Sequence, residues 1–319
     1  MKILTSILFI VSLSNSFGQG IYAPEAGSIG TTAIHKDSSS IVSWGNSCEI
    51  IRGYQQIDST QFGFASNGNS SSALGKADGI TVSLGDSGIA IYTLSMPVFN
   101  GVGADFTLFE NAFSSIFLEL AFVEVSSDGI NYFRFPSFSN TQDSSQIGSF
   151  GNLDATYLHN LAGKYQVNYG TPFDLDEISN DSLLNKGNIT HIKIIDVIGN
   201  ITPEFATYDS QNRKINDPWP TPFPSSGFDL DALGLIHVNG INSIEEKKIN
   251  IAIYPNPFTD KITLEIEDEI TAIQLVSISG STLSLEINKS LKLSYLTKGV
   301  YFLKIYTKTN FYVQKVVKK

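Results

Sequence analysis

An all-β chain, with a large antiparallel sandwich or jelly roll followed by a small second sandwich, is what the sequence predicts. Three observations carry that expectation. Short apolar or alternating runs recur between Gly, Asn, Asp and Ser turns, and no stretch keeps a helical period. Aromatic residues make up 11% of the 319 residues, with 21 Phe and 13 Tyr, which suits strands. Charged residues reach only 16%, which excludes a coiled coil, while the aromatic content excludes intrinsic disorder.

The chain opens with Lys2 and the apolar run Ile3–Ser14. Ser16-Phe17-Gly18 then puts small residues at −3 and −1 of a cleavage site before Gln19, so residues 1–18 read as a signal peptide. That run is too short to span a bilayer of about 30 Å, and no other segment approaches ~18 apolar residues, so no transmembrane helix is expected. Cys48 is the only cysteine, which excludes an internal disulfide, and it lies too far from the cleavage site to be a lipid anchor. It reads as a small buried apolar residue.

Residues 19–239 form the cargo domain. Its strands are read at Gly79–Leu84, Ile89–Leu94, Asp105–Glu110, Phe117–Ser126, Ile189–Val197 and Leu230–Val238. Asp128-Gly129 between Val123–Ser127 and Tyr132–Phe135 predicts a hairpin turn. Residues 240–248 are a polar linker. From 249 the alternation becomes clearer, with strands at Ile249–Tyr254, Lys261–Ile266, Ala272–Ser277, Thr282–Ile287, Tyr301–Tyr306 and Phe311–Val317.

Four features of 249–319 stand in a fixed order. They are Tyr254-Pro255-Asn256-Pro257, the Ile278-Ser279-Gly280 turn, a strand opening Gly299-Val300-Tyr301, and a lysine-ended last strand with Lys315, Lys318 and Lys319. Together they resemble the C-terminal sorting domain of the type IX secretion system of Bacteroidetes. The resemblance implies export across the outer membrane by that machinery, to the cell surface or the medium. The lysines stand where that family often has arginine.

Within the cargo, strings such as Phe109-Glu110-Asn111, Asn160-Leu161-Ala162-Gly163-Lys164 and Gly227-Phe228-Asp229-Leu230-Asp231-Ala232 resemble a family of bacterial cell surface proteins. Phe122–Gly129 with Tyr132-Phe133 is similar to a strand pair of galactose-binding-like jelly rolls. These resemblances imply a ligand-binding or adhesive sandwich. A surface partner in nutrient capture, passing a small molecule such as a corrinoid to an outer-membrane receptor, is a further implication.

Charge narrows the partners. Residues 20–240 hold nine basic and 23 acidic side chains, whereas 241–319 hold eleven lysines and eight acids. An acidic cargo repels nucleic acid and suits neutral ligands or divalent cations. Asp105, Glu110, Asp229 and Asp231, at strand ends beside Gly and Phe, are candidate calcium ligands, because calcium takes six to eight oxygens. Asp229 and Asp231 are two apart and share a strand face, whereas Asp105 and Glu110 need a turn between them to converge. Asp196 in an apolar strand needs a partner if buried, such as Lys164 or Arg213. Asp174 and Asp176 follow a proline and read as the entry to a short helix.

The stretch Asp217-Pro218-Trp219-Pro220-Thr221-Pro222-Phe223-Pro224 cannot enter a central strand, because proline donates no N–H. It reads as a stiff surface loop. There Trp219 and Phe223 either stack on a sugar ring or cover the end of the sandwich, and Trp44 has the same two readings. No nucleophile elbow, phosphate loop or paired-histidine metal motif is present, so no catalytic residue is assigned. The leading expectation is a non-catalytic glycan-binding module, and a glycan hydrolase with unrecognised carboxylates is the enzymatic alternative.

Overall fold

The computed structural model describes residues 20–239, 251–266, 269–277, 281–307 and 311–319. The expected signal peptide, the linker and the Ile278-Ser279-Gly280 turn lie outside those residues. The chain divides between Ile241 and Asn242 into two compact units.

The strands of the first unit are β1 (Ile34–His35), β2 (Ser43–Trp44), β3 (Cys48–Ile51), β4 (Val82–Ser83), β5 (Ile89–Val98), β6 (Phe106–Glu110), β7 (Ala121–Ser126), β8 (Phe133–Arg134), β9 (Phe138–Ser139), β10 (Leu158–His159), β11 (Tyr169–Phe173), β12 (Ile189–Asp196) and β13 (Asp229–Leu235). They form two large antiparallel sheets and a small two-stranded one, β9-β10. One large sheet runs β1-β11-β6-β13-β2 with β4 also on β13, and the other runs β3-β5-β12-β7-β8. Phe106, Leu108, Phe173 and Leu233 from the first share one buried core with Tyr92, Val123, Val125, Ile192 and Ile194 from the second. That is the expected sandwich, and its helical content is limited to 3-10 turns.

Strand β7 is apolar almost throughout because both its faces are covered. Val123 and Val125 point into the sandwich. Phe122 points out, into a second cluster with Leu120, Leu158, Leu161, Tyr165 and Ile215. The β7–β8 hairpin forms where Asp128-Gly129 predicts it, pairing Glu124 with Arg134 and Val125 with Phe133. Asp128 Oδ1 accepts from the N–H groups of Ile130 and Asn131, both at 2.8 Å, which holds its carboxyl well below the usual range. Gly129 has φ +75°, a conformation that disfavours side chains, and a Cβ there would meet the His191 ring.

Strand β11 contains Pro172, so period and turn signals alone do not reveal it. β1 pairs only with Tyr169 and Gly170, so the missing Pro172 N–H lies beyond the end of β1, where no ladder needs it. Cys48 is half-buried against the core, and burial pushes its thiol up to about 12, which fits the inert reading. Asp174 caps the 3-10 turn Leu175–Glu177 by accepting from Asp176 N, as its sequence context suggests.

The second unit comprises β14 (Ala252–Tyr254), β15 (Lys261–Glu265), β16 (Ile270–Ser277), β17 (Thr282–Leu285), β18 (Ser290–Lys292), β19 (Gly299–Thr307) and β20 (Phe311–Lys318). Sheets β14-β15-β18 and β17-β16-β19-β20 enclose Phe258, Ile262, Leu264, Ile273, Leu275, Leu303, Ile305 and Val316. This is the small sandwich the alternation predicts, with the three-residue β18 added.

Candidate functional site

Three loops of the cargo domain carry a row of phenyl rings. Phe113 and Phe117 stand on the β6–β7 connection, Phe150 on the segment after β9, and Phe223 on the proline-rich stretch before β13. Ring centroids are 6.2 Å apart from Phe113 to Phe117, 6.2 Å from Phe117 to Phe150 and 6.1 Å from Phe150 to Phe223. Successive planes differ by 21°, 33° and 28°. Phe113 is 84% exposed, Phe150 75% and Phe223 40%. Scattered exposed apolar residues are normal, but aligned ones mark contact surfaces.

The row is braced from beneath. Asn216 donates to the carbonyls of Gln142 at 2.7 Å and Ser145 at 2.8 Å, and accepts from Ile147 N at 3.0 Å. Trp219 N donates to Ile147 O, and Ser149 Oγ to Pro220 O. Asp217 Oδ2 accepts from Leu120 N at 2.7 Å, which ties the first loop to the third.

Of the three aromatics nominated from sequence, Phe223 joins the row. Trp219 is half-buried, with its indole N–H 3.3 Å from Asp86 Oδ2, and makes no ring contact with the row. Trp44 is half-buried, 5.4 Å from the Phe109 ring and away from the row. Sequence reasoning missed Phe113, Phe117 and Phe150. Their signal was position: bulky rings in Ser- and Gly-rich segments, outside any alternating run.

The structure separates the four proposed calcium ligands. Asp105 and Glu110 flank β6, whose rise of ~3.4 Å per residue puts them roughly 17 Å apart. No turn intervenes, so the convergence they needed does not occur. Asp105 instead accepts from Gly101 N and Leu175 N, each at 2.7 Å, and sits 2.7 Å from His237 Nδ1. Asp231 accepts from the N–H groups of Asp78 and Gly79, both at 3.1 Å. Among the described residues, no group of three or more His, Cys, Asp or Glu side chains is arranged to hold a metal.

Glu110 and Asp229 do remain neighbours in charge, and Glu119 and Asp217, which are not among the calcium candidates, join them. Burial pushes Glu110 well above the ordinary carboxyl range, and the charge of Asp229 adds to it. Glu119 is raised likewise, by burial first and then by Glu110, Asp229 and Asp217. Asp229 is pushed up to about 6 by burial, against the pull of the Ser83 hydroxyl and the Arg52 charge. Asp196 is buried, but neither Lys164 nor Arg213 reaches it. It accepts from Phe228 N at 2.7 Å and Ser87 N at 3.0 Å, while Arg213 pairs with Asp209 and Lys164 donates to Leu158 O.

A separate cavity of about 450 Å³ is lined by Tyr22, His159, Asn160, Lys164, Thr171 and Glu177, among others. Tyr22 stacks on His159 at 5.0 Å, and His159 Nε2 is 2.7 Å from Glu177. Burial would raise the Glu177 carboxyl, but its bonds to His159 and Asn160 outweigh that and hold it low. Burial lowers the Lys164 ammonium to about 8.

In the second unit the sequence motif acts as a clasp. Asn256 Oδ1 accepts from Val317 N at 2.9 Å, and its Nδ2 donates to Lys315 O at 2.8 Å. Phe258 N donates to Val317 O, and Lys319 N to Phe258 O. Lys318 is buried, with its ammonium on Thr259 O, whereas Lys315 and Lys319 are exposed. Tyr254 is partly exposed, and the bonds preceding Pro255 and Pro257 are both cis. Gly299 opens β19, and the Tyr301 hydroxyl donates to Thr297 O at 2.9 Å.

Residues 252–319 match the family described as the secretion system C-terminal sorting domain. That match places a type IX sorting tail on this chain, so the protein is exported to the cell surface or secreted. No curated protein matches the chain. A solved structure titled "Biofilm associated protein - BSP domain" is similar over 72% of this chain and 48% of its own, at 10% identity and a TM-score of 0.19. The chain thus spans about half the length of that protein. No described helix is long and apolar enough to cross a membrane.

Proposed function

We propose that residues 20–239 are a non-catalytic module that binds glycan outside the cell through the row Phe113, Phe117, Phe150 and Phe223. The observation that carries this reading is the row itself: near-parallel rings, three of them solvent-exposed, on loops fixed by hydrogen bonds. A phenyl face takes the apolar C–H face of a sugar, and a braced ring loses little entropy on binding. Export delivers the row to where polysaccharide is met.

The acid pairs open to a hydrolase are Asp105 with Glu110 and Glu119 with Glu124. Asp105 and Glu110 stand farther apart than the roughly 5–10 Å that glycoside hydrolysis needs. Glu124 is held by Arg134 at 2.8 Å and Lys193 at 3.2 Å. A second reading, capture of a small polar molecule, is favoured by the cavity beside His159 and Lys164.

Affinity electrophoresis of the purified chain through gels containing soluble polysaccharides tests the proposal. Retardation by at least one polysaccharide is expected, with a loss of about tenfold in affinity when Phe113 and Phe150 are both replaced by alanine. Retardation that survives the double replacement, or none with any polysaccharide, overturns it.

A further inference from the structure

We infer that the cavity beside His159 takes a small monocarboxylate with an apolar body, its carboxylate held by Lys164. The inference rests on the reading of that cavity as a capture site, gives its ligand a chemical class, and is independent of the phenyl row. At about 450 Å³ the cavity has the size of small-molecule sites. It lies on the free edge of β11. Strand β1 pairs with Tyr169 and Gly170 and stops there, and the next residues, Thr171, Pro172 and Asp174, line the cavity. Pro172 has no N–H to offer on that edge, which makes it a poor template for an added peptide strand. Ile34, Ala104 and Pro172 supply apolar wall for a compact ligand instead.

Lys164 sets the chemistry of the wall. It is 4% exposed and is the one buried lysine among the described residues of the cargo domain. Its ammonium donates to Leu158 O at 2.8 Å and stands 5.4 Å from the centre of the Tyr165 ring. No ion pair among the described residues includes it. An ammonium carries three donors, and Leu158 O takes one of them. Other cations of this region are matched: His159 stands 2.7 Å from Glu177, and Arg213 stands 2.6 Å from Asp209. Thr171, in the same wall, has a buried hydroxyl without a partner.

Buried charges are normally paired, and a carboxylate entering the cavity supplies the counter-charge that Lys164 lacks. Two acids then limit how much negative charge the ligand can carry. Glu177 Oε2 accepts from Asn160 Nδ2 at 2.7 Å besides meeting His159, and Asp174 Oδ1 accepts from Asp176 N at 2.9 Å. Both acids line the cavity, and both are more exposed than Lys164. Their charges repel a second anionic group on the ligand. A monocarboxylate with an apolar body therefore fits better than a dicarboxylate or a phosphate dianion.

The test uses the purified full chain, in thermal-shift and calorimetric titrations with benzoate and hexanoate. Benzamide and hexanamide serve as neutral counterparts, and phthalate, succinate and inorganic phosphate as dianions. At least one monocarboxylate should raise the melting temperature by mass action. Its amide and the dianions should bind about tenfold more weakly or worse. Lys164→Met should weaken monocarboxylate binding at least about tenfold, the cost of losing one partner of a buried charge pair. Ala104→Phe narrows the apolar wall without touching the ammonium and should weaken binding too; it decides the matter if Lys164→Met fails to fold by circular dichroism. The double replacement of Phe113 and Phe150 by alanine should bind monocarboxylates as wild type does. Amides that bind as tightly as their acids, or dianions that bind as tightly as monocarboxylates, overturn the inference and leave the cavity as a capture site for another class of molecule. Binding that survives both Lys164→Met and Ala104→Phe, or no binding of any probe, overturns the inference and the cavity reading together.

Discussion

The sorting tail and the cargo domain use their polar groups in opposite ways. In the tail, Asn256 satisfies both ends of its amide against β20, and Lys318 reaches the Thr259 carbonyl. Both side chains close the domain on itself. The cargo domain instead buries Glu110, Glu119, Asp217 and Asp229 under two long loops, and leaves Glu110 Oε1 without a partner. Burial holds the Glu110 and Glu119 carboxyls well above the usual range, which favours their neutral form.

The largest effect that could break this contrast concerns the tail. Removing residues 252–319 should abolish export and leave the cargo inside the outer membrane, measured by immunoblot of medium, surface and periplasm. Appearance of the truncated chain outside would mean that the address lies elsewhere.

The next effect compares two carboxylates on one strand. Asp105 meets two backbone donors and His237, so Asp105→Ala strands those groups and should cost about 3 kcal/mol or more in urea unfolding. Glu110→Gln, at the other end of β6, should cost almost nothing, because the amide oxygen can still accept from Ala112 N. Equal losses would erase the distinction between a carboxylate that holds the fold and one whose Oε1 has no partner.

Lys164 sharpens the comparison through pH. Its ammonium sits at about 8 in the folded chain against an ordinary 10.5. Between those values the unfolded chain holds a proton that the folded chain has released, so the stability contributed by this residue rises with pH across about 8 to 10.5. The gain is up to about 3 kcal/mol. The melting temperature of wild type relative to Lys164→Met should climb through that window and be level below it. A level difference throughout would show that Lys164 keeps its proton when folded.

The tail was almost fully legible in sequence because its strands alternate and its turns are short. Tyr254–Pro257 could be read as a motif, although its clasp onto Val317 and Lys315 joins residues some sixty positions apart. In the cargo, strands with a period of two were legible, as was the Asp128-Gly129 hairpin. Strand β11 was hidden by Pro172, and β3 by its brevity. The site was half legible. Acid types and the proline-rich loop pointed to Glu110, Asp229 and Phe223, but which acids share a space depends on how β6, β7 and β13 are placed. That is tertiary information, which a spacing of two or five residues does not hold. Asp231 looked equivalent to Asp229, yet its two oxygens are used up by the Asp78-Gly79 turn.

The smallest expected effect is the most discriminating. Phe113→Ala and Phe150→Ala remove rings that are 84% and 75% exposed, so little apolar area returns to water on unfolding. Each should change stability by no more than about 0.5 kcal/mol in urea unfolding, the range of ordinary surface substitutions. Phe106→Ala, by contrast, removes a ring that is 0% exposed and should cost about 3–5 kcal/mol. If an exposed phenylalanine costs more than 1 kcal/mol, the row is packing for its loops and the glycan reading loses its ground. If both are neutral while polysaccharide affinity falls, the rings are held in place for something outside the chain. The fold then gains nothing from exposing them.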